Sequence, residues 1–546
     1  MTDATSRTAT RAHGADLDAV IVGAGFSGLY MLHRLRGLGL AARVFEAGDG
    51  VGGTWYWNRY PGARVDVESQ EYCYSFSEEL ADEWRWSERY ASQPELLSYL
   101  NHVADRFDLR RDIQFDTTVV SAVFDEAANL WTVRTDKGDS VRTRFCIMAT
   151  GCLSAPKKPD VPGAERFKGE SHHTGRWPHA GVDFTGRVVG VIGTGSSAIQ
   201  SIPQIAGQAE HVYVFQRTPN FSVPAHNRPA DPAVVQDWKE NRAHYRQQAR
   251  DSGFGILMVA LNEQAALDVS PEERNSVYEA RWACGGFSLL GAFSDLIENQ
   301  AANDTAAEFV RDKIRAIVKD PVVAEKLAPK SYPIATKRIC VDIGYYETFN
   351  RPNVTLVDLK DEPIETLMED GLKTSNAEYR LDAIVYAIGF DAMTGALGKI
   401  DIRGRGGAAL GDRWTHGPRT YLGLMIAGFP NLFIVTGPGS PSVLANMAVA
   451  IEQHVEWISD CIGWLRDRQM GAIEASAEAQ DAWVEHVNEV ADATLFPLAN
   501  SWYIGANVPG KPRVFMPYIG GFATYRQTCE DVAAKGYEGF HLTQGA

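Results

Sequence analysis

The first regular pattern in the chain is a short apolar run over residues 19–22, with the length and β-branched content of a buried parallel strand. A glycine-rich turn follows, and then a predicted helix through Leu35 that carries leucines on one side. A second apolar run, residues 42–45, ends on Glu46. Strand, glycine turn, helix, strand and acid in this order are typical of a dinucleotide-binding unit.

The turn of this first unit, Gly23-Ala24-Gly25-Phe26-Ser27-Gly28, lets the backbone turn tightly and approach a ligand. Free N–H groups and the dipole at the start of the helix favour a pyrophosphate. Glu46 stands 18 residues after Gly28, where an acid is expected to bind a pair of ribose hydroxyls. A tight turn without a ligand is the alternative. The candidate cofactor-binding residues of this unit are Gly23, Gly25, Ser27, Gly28 and Glu46.

The same design recurs over residues 182–217. Residues 187–192 and 211–216 predict its two strands, the turn between them has Ala198 in place of the third glycine, and the unit closes on Arg217. A guanidinium at that point favours a 2′-phosphate, whereas an acid favours the free 2′-hydroxyl. We therefore interpret the first unit as a site for FAD or NAD and the second as a site for NADP, unless Arg217 is only a surface cation. The candidate residues here are Thr194, Gly195, Ser196, Ser197, Ala198 and Arg217.

Other segments show strand or helix patterns. Strands are predicted over residues 113–124, 130–135, 141–149, 354–357 and 379–387. Helices are predicted from Gln93 through Phe107, after Ser270, from Asp304 or Thr305, and from about Val443. Trp55 and its aromatic neighbours are predicted to lie in a glycine-rich loop.

These patterns predict an α/β protein with two dinucleotide-binding, Rossmann-like domains and a helical insertion in the second. The first of these domains, which would be the FAD-binding domain if the first unit takes FAD and not NAD, comprises residues 1–150 and 387–546. The NADP-binding domain comprises residues 151–220 and 331–386, and the polar, helix-patterned segment 221–330 is the insertion between its two parts.

Composition narrows the function classes. The chain has 546 residues, which favours two or three domains, and its 53 basic and 69 acidic residues give a net charge of −16, which argues against nucleic-acid binding. The polar N-terminus does not resemble a signal peptide, and no apolar run reaches membrane-spanning length. Seven scattered cysteines without a CxxC pair argue against disulfides, a metal site and a dithiol centre. We expect a cytoplasmic monomer or weak oligomer.

Two dinucleotide sites in one chain allow electrons to pass from a reduced nicotinamide to a flavin. A dithiol acceptor would need paired cysteines, which the sequence lacks. Molecular oxygen needs only a dry pocket, so oxygen is the favoured acceptor.

The segment between the two units contains the pattern Phe-x-Gly-x-x-x-His-x-x-x-Trp-Pro, at Phe167, Gly169, His173, Trp177 and Pro178. Here the sequence resembles the type I Baeyer–Villiger monooxygenases. The resemblance extends over nearly the whole chain, including the aromatic run near Trp55, Thr336-Lys337-Arg338, and the stretch beginning at Ser501. It departs from the family only slightly, with Ile388 in place of threonine and Ala198 in place of glycine.

The resemblance implies a reaction and roles for individual residues. NADPH reduces FAD, oxygen forms a C4a-peroxyflavin, and this species attacks a hydrophobic cyclic, aryl-alkyl or steroid ketone to give an ester or lactone plus water. Arg338 is the implied catalytic arginine, with Asp66 as its carboxylate partner. Further implied cofactor contacts are Thr54, Trp55, Tyr72, Thr218, Lys337, Asn446 and Trp502. The implied walls of the substrate pocket are Val67, Cys152, Leu153, Ser442, Val443, Leu444 and Met447.

Several alternatives remain open at this point. The enzyme could oxygenate sulfur or nitrogen instead of ketones, or the chain could be a non-catalytic flavoprotein that senses NADPH. Asp66 and Arg338 could form a plain structural ion pair. We interpret His173 as an organiser of the linker between the nucleotide domains and not as a catalytic base, while Trp55 and Trp57 could pack on the flavin or fill the core.

Overall fold

The computed structural model describes residues 14–544, so most of the polar N-terminal stretch discussed above lies outside the described residues. Within that range the chain forms the following strands: β1 (Leu17–Val22), β2 (Ala42–Phe45), β3 (Ile113–Gln114), β4 (Val119–Asp125), β5 (Leu130–Thr135), β6 (Ser140–Met148), β7 (Glu170–His173), β8 (Val188–Ile192), β9 (His211–Gln216), β10 (Ser222–Pro224), β11 (Cys340–Asp342), β12 (Val354–Asp358), β13 (Ile364–Met368), β14 (Gly371–Thr374), β15 (Glu378–Arg380), β16 (Ala383–Tyr386), β17 (Asp401–Arg403), β18 (Leu432–Ile434), β19 (Met470–Ala475) and β20 (Phe540–Gln544).

The α-helices of the same range connect and cover these strands. They are α1 (Phe26–Gly37), α2 (Thr54–Trp57), α3 (Glu78–Glu83), α4 (Gln93–Arg106), α5 (Ser196–Ala206), α6 (Pro232–Asp251), α7 (Pro271–Cys284), α8 (Gln300–Ile317), α9 (Pro321–Leu327), α10 (Tyr345–Thr348), α11 (Leu410–Arg413), α12 (Met447–Asp467), α13 (Ala477–Asp492) and α14 (Phe522–Ala534). Among residues 14–544, no helix combines the length and the apolar character needed to cross a bilayer.

The first large sheet has the order β17-β4-β5-β6-β1-β2-β3, with β18 added beside β6. The strand β1 lies between the parallel strands β2 and β6, as expected for the centre of a dinucleotide-binding sheet. The antiparallel strand β5 pairs with the first half of β6, and the parallel strand β18 pairs with its second half. A segment from late in the chain therefore completes a sheet that the N-terminal part begins.

The second large sheet has the order β12-β9-β8-β16-β7, and all of its strands are parallel. Here β8 lies at the centre, between β9 and β16. In such sheets a ligand binds at the carboxyl ends of the strands, where the strand order changes direction. Both glycine turns of the sequence follow a strand at this position. The α/β class with two Rossmann-like sheets is thus confirmed.

Two predicted strands are divided in the structure. The pattern over residues 113–124 forms β3 and β4, and Asp116 between them has a positive φ of 51°, which ends the extended backbone. The pattern over residues 379–387 belongs to β15 and β16, which lie in different sheets. The apolar alternation runs across both breaks, so a pattern of period two could not locate them.

Three further predicted boundaries were wrong, and local hydrogen bonds explain two of them. The helix α8 begins at Gln300 because Asn299 accepts hydrogen bonds from the N–H groups at its start. The helix expected from about Val443 is a 3-10 turn over Ser442–Leu444, and α12 begins after Asn446, which caps it in the same way. The aromatic run predicted as a loop begins with the short helix α2.

Candidate active site

A cavity of about 910 Å³ extends along both glycine turns and is lined by residues of both large sheets and of the C-terminal part of the chain. Its lining includes Gly23, Gly25 and Glu46 of the first unit and Gly193 and Arg217 of the second. The cavity therefore joins the two sites that the sequence predicts separately.

The first glycine turn brings the start of α1 to the cavity wall. Gly23 has φ +103°, and a Cβ atom there would lie 2.7 Å from the carbonyl oxygen of Ala149. A Cβ atom on Gly28 would lie 1.8 Å from the carbonyl oxygen of Gly23, so only glycine permits this packing of helix on strand. Gly25, the N-cap residue of α1, offers no side chain to cap the helix, which leaves its first N–H groups available to an anion.

The carboxylate of Glu46 is held by two backbone N–H groups. Its Oε2 accepts a hydrogen bond from Ala24 at 2.6 Å and its Oε1 accepts one from Gly48 at 2.8 Å. The residue is only 4% exposed, and burial raises its pKa although the backbone N–H groups act in the opposite direction. Each carboxylate oxygen keeps further acceptor capacity towards the cavity.

The second glycine turn repeats this arrangement. Gly193 has φ +113°, and a Cβ atom there would lie 2.4 Å from the carbonyl oxygen of Ala387. The N-cap of α5 is Gly195, again without a capping side chain. Thr194 donates a hydrogen bond from Oγ1 to the carbonyl oxygen of Thr218 at 2.7 Å, which ties the turn to the end of β9.

A group of basic side chains surrounds the end of β9. Burial, together with the neighbouring cations Arg217 and Lys360, lowers the pKa of Lys337 to about 8. Burial and Arg217 also lower the pKa of Lys157. Within the described residues, no carboxylate forms a close ion pair with any of these three cations, Arg217, Lys337 and Lys157. Such a concentration of unpaired cations favours a bound anion.

Arg338 and Asp66 lie together on the wall of the cavity. The guanidinium donates from Nε and Nη2 to the two oxygens of Asp66, at 2.7 and 2.8 Å, and from Nη1 to the carbonyl oxygen of Val443 at 2.7 Å. Burial would lower the pKa of Arg338, but Asp66 more than compensates, so its pKa is raised above the ordinary value. Arg338 is therefore always protonated.

Three of the five N–H groups of Arg338 are used by Asp66 and Val443. The remaining two, one on each Nη atom, are available to the Tyr503 hydroxyl beside it and to ligand oxygens in the cavity. Burial raises the pKa of Tyr503 to about 12, while Arg338 acts to lower it, so this hydroxyl stays protonated.

Known proteins share this architecture. A family model described as pyridine nucleotide-disulphide oxidoreductase matches residues 20–263. A Baeyer–Villiger monooxygenase of Pseudooceanicola batsensis is 45% identical over 97% of this chain and 96% of its own, and a phenazine N-monooxygenase of Lysobacter antibioticus is 44% identical over 96% and 97%. The solved structure of an oxidized steroid monooxygenase bound to NADP is 56% identical, covers 97% of this chain and 100% of that one, and has a TM-score of 0.93. The chain belongs to the Baeyer–Villiger monooxygenases.

This Baeyer–Villiger monooxygenase depends on FAD and NADPH, as the two glycine turns predict. The cavity fits both cofactors, because several buried polar atoms on its wall have no partner among the described residues. These atoms are Asn58 Oδ1, Ser501 Oγ and Asn507 Oδ1. Donors and acceptors left unpaired in this way match a ligand that carries ribose, phosphate and ring nitrogen groups.

Most of the predicted site residues of this monooxygenase line the cavity. They are Gly23, Gly25, Ser27, Glu46, Thr54, Trp55, Asp66, Val67, Tyr72, Cys152, Leu153, Thr194, Gly195, Ser196, Ser197, Arg217, Thr218, Lys337, Arg338, Val443, Met447 and Trp502. Trp57 also lies at the wall, so both tryptophans left open between flavin packing and core filling border the cavity.

Five predicted residues do not line the cavity. Each of them packs or forms hydrogen bonds in the layer behind the lining residues. Gly28 packs against Gly23, as described above, and the methyl group of Ala198 is fully buried under the second turn. The Ser442 hydroxyl donates to the carbonyl oxygen of Thr436 at 3.3 Å, and Leu444 packs in an apolar cluster beneath the wall. The Asn446 amide is fully buried, where it caps α12 and donates to the carbonyl oxygen of Glu71.

The fingerprint residues also lie behind the wall. His173 ends β7, at the edge of the second sheet, and its Nδ1 accepts a hydrogen bond from the N–H of Gly175 at 2.9 Å. Burial and the charge of Arg176 lower the pKa of His173 to about 4, against a hydrogen bond to the Lys157 backbone that raises it. Trp177 is buried against Phe184. The position of His173 agrees with a role in organising the linker.

Sequence reasoning missed two cations of the site. Lys157 joins the basic group at the end of β9, and Arg176 borders the cavity with its guanidinium 4.1 Å from the Trp57 ring. The charge of Glu46 raises the pKa of Arg176, against the lowering caused by burial. Arg176 stands inside the fingerprint, which was the only signal that could have marked it; no spacing marks Lys157.

Proposed function

We propose that this monooxygenase inserts one oxygen atom beside the carbonyl group of a hydrophobic ketone and releases an ester or a lactone. The observation that carries the proposal is the Arg338–Asp66 pair on the wall of a cavity that both glycine turns border. A guanidinium whose N–H groups are only partly used by Asp66 and Val443 is suited to negative charge on oxygen.

The cofactors would be held by different ends of the cavity. Gly23, Gly25, Ser27 and Glu46, with the start of α1, would hold FAD, and the start of α5 with Arg217 and Lys337 would hold NADP(H). The bound flavin, reduced by NADPH, supplies the activation of molecular oxygen. The remaining implied contacts, namely Thr54, Trp55, Tyr72, Thr218 and Trp502, would add hydrogen bonds and packing along the cavity wall.

Arg338 would act without transferring a proton, since its pKa is raised and its charge is permanent. Asp66 orients the guanidinium through two parallel hydrogen bonds, and the Val443 carbonyl holds a third N–H. The positive charge would then stabilise negative charge that develops on oxygen in the cavity during the reaction. A plain structural ion pair would need no N–H groups facing a cavity.

The substrate would lie against the apolar wall near Arg338. Val67, Leu153, Val443 and Met447 supply apolar surface, and Cys152 adds a buried thiol whose pKa burial raises, so that it stays neutral. A wall of this kind favours a cyclic, aryl-alkyl or steroid ketone over a charged substrate.

The direct test uses the purified holoenzyme with NADPH, oxygen and a panel of cyclic, aryl-alkyl and steroid ketones, with products identified by mass spectrometry. We expect esters or lactones, formed in proportion to NADPH consumed. Absence of any ester across the panel would refute the proposal.

A second candidate is oxygenation of nitrogen or sulfur, which the 44% identical phenazine N-monooxygenase makes worth testing. The same holoenzyme is given a phenazine, a thioether and a ketone of matched size. Preference for the ketone, measured as kcat/KM, supports the first proposal, and preference for the phenazine or the thioether supports the second.

We also propose the domain division predicted from the sequence. The strands β17 and β18 belong to the first sheet, which supports residues 387–546 as the second part of the FAD-binding domain. The strands β12 and β16 belong to the second sheet, which supports residues 331–386 as part of the NADP-binding domain.

We further propose a cytoplasmic monomer or weak oligomer, which agrees with the NADPH requirement and with seven unpaired cysteines. Light scattering of the purified protein would measure the oligomeric state.

A further inference from the structure

We propose that Phe287, from the segment between the two parts of the second sheet, is a positioning residue for Arg338. The proposal rests on the proposed function, in which Arg338 stabilises negative charge on oxygen. The ring centroid of Phe287 lies 4.8 Å from the central carbon of the guanidinium. The Phe287 side chain is 3% exposed, so the ring keeps water away from the part of Arg338 that it contacts.

The hydrogen bonds of Arg338 leave its faces free. All five N–H groups of a guanidinium lie in its plane, so Asp66 and Val443 hold it by its edges. Two edge contacts fix the position of the group but allow it to tilt about the line that joins them. An aromatic ring packed beside the guanidinium opposes that tilt, and its face also attracts the positive charge.

The backbone before Phe287 is shaped to deliver the ring to this place. Gly285 and Gly286 both have positive φ values, +73° and +57°, and a Cβ atom on Gly286 would lie 2.1 Å from the Tyr90 hydroxyl oxygen. Arg89 donates a hydrogen bond from Nη1 to the carbonyl oxygen of Cys284 at 2.9 Å. The turn is therefore pressed against the segment that contains Tyr90, and the ring follows directly after it.

Phe287 does not line the cavity, although Arg338 does. Replacing the ring therefore leaves the residues that border cofactor and substrate in place, and an effect on the reaction would pass through Arg338. Three separate stretches of the chain then meet at one guanidinium: Asp66 from the first unit, Val443 from the C-terminal part, and Phe287 from the predicted insertion. This gives the insertion a part in the chemistry that its sequence pattern did not reveal.

The test compares Phe287→Leu, which removes the aromatic face, with Phe287→Tyr, which keeps it. The matched control is Phe293→Leu, in the same segment, because Phe293 is also buried but packs edge-to-face against Tyr278. For each holoenzyme, ester formed, NADPH consumed and hydrogen peroxide released are measured together with the KM for NADPH. FAD content and Tm establish that each variant is folded, and Phe287→Met replaces the leucine variant if the latter does not fold.

For Phe287→Leu we expect about a tenfold lower ratio of ester to NADPH, with peroxide in its place and an unchanged KM for NADPH. Phe287→Tyr should restore the ratio to within about twofold of the original, and Phe293→Leu should leave it unchanged. A normal ratio in Phe287→Leu, an equal loss in Phe293→Leu, or no rescue by tyrosine would overturn the inference. Failure of the proposed function is distinguishable, because the unsubstituted enzyme would then form no ester; the ratio is in that case measured on whichever oxygenated product it does form.

Discussion

Arg338 donates two hydrogen bonds to the carboxylate of Asp66, at 2.7 and 2.8 Å, although 272 residues separate them in the chain. The pair lies where the residues before α3, the segment after the predicted insertion and the C-terminal part of the chain border one cavity. Because its N–H groups are only partly used by the protein, the arginine is held in place and still able to bind a ligand.

Replacement of Arg338 by alanine should separate reduction from oxygenation. Without the guanidinium the permanent positive charge held by Asp66 and Val443 is lost, so ester formation should fall about 100- to 1,000-fold. Reduction of the flavin by NADPH, followed by stopped-flow absorbance without oxygen, should continue. Arg338→Lys is the matched variant: it keeps the charge but loses the parallel pair of bonds to Asp66, and it should retain part of the activity. Loss of flavin reduction in the alanine variant would assign Arg338 a different role.

Replacement of Arg217 by alanine should weaken the binding of NADPH more than the binding of NADH. The two cofactors differ by the 2′-phosphate, and a charged contact of this kind contributes about 1.5–3 kcal/mol. The KM for NADPH should therefore rise about 10- to 150-fold, while the KM for NADH changes little. Arg217→Lys should give an intermediate value. Equal losses for both cofactors would remove the argument that Arg217 recognises the phosphate.

The pH dependence of kcat/KM for NADPH should reflect the titration of Lys337. Its pKa is lowered to about 8, so in the free enzyme the side chain loses its charge as the pH rises through this value. An uncharged amine attracts the phosphate less, and kcat/KM for NADPH should fall above about pH 8. Lys337→Arg stays protonated, so the fall should disappear in that variant. An identical pH profile in the arginine variant would show that another group titrates.

Acid should destabilise the fold partly through His173. Its pKa in the folded protein is lowered to about 4 by burial, whereas an unfolded histidine keeps its ordinary value of about 6.5. Between these values the unfolded chain binds more protons, so the free energy of unfolding decreases as the pH falls. His173→Asn, which can still accept from Gly175, should show a smaller loss of Tm between pH 6.5 and pH 4.5. Buried His454 contributes in the same direction in both proteins, so the difference between the two slopes is the quantity to compare.

Gly62→Ala should loosen the contact between the first unit and α5. Gly62 has φ +83°, and a Cβ atom there would lie 2.3 Å from the backbone oxygen of Gln200. We expect the free energy of unfolding to fall by about 2–5 kcal/mol. This is the sum of the cost of a positive φ for alanine and the cost of the collision with the Gln200 oxygen. Gly181→Ala is the matched control, since its φ is +75° but no atom lies within 4 Å of the added carbon. Equal changes in Tm for the two variants would mean that contact with Gln200 contributes nothing.

The two glycine turns could be predicted from sequence because every part of that signal is local. Turn, helix start and strand end lie within about thirty residues, and the chemistry at the end of the second strand, Glu46 or Arg217, distinguishes the two sites. Local patterns were less successful where side chains cap helices. Asn299 and Asn446 set the starts of α8 and α12, and the hydrophobic pattern marked neither of these starts.

By itself the sequence determined the α/β class, both nucleotide units and, through a resemblance, the pairing of Asp66 with Arg338. Only the tertiary structure decided which residues border the cavity and which lie behind it. Gly28, Ala198 and Asn446 have the residue types of ligand contacts, but close packing against Gly23, the second turn and Glu71 uses them for support. The ring of Phe287 and the charges of Lys157 and Arg176 reach the site or its arginine through the fold alone. The spacing of residues along the chain does not predict these contacts, because they depend on how segments far apart in the sequence pack together.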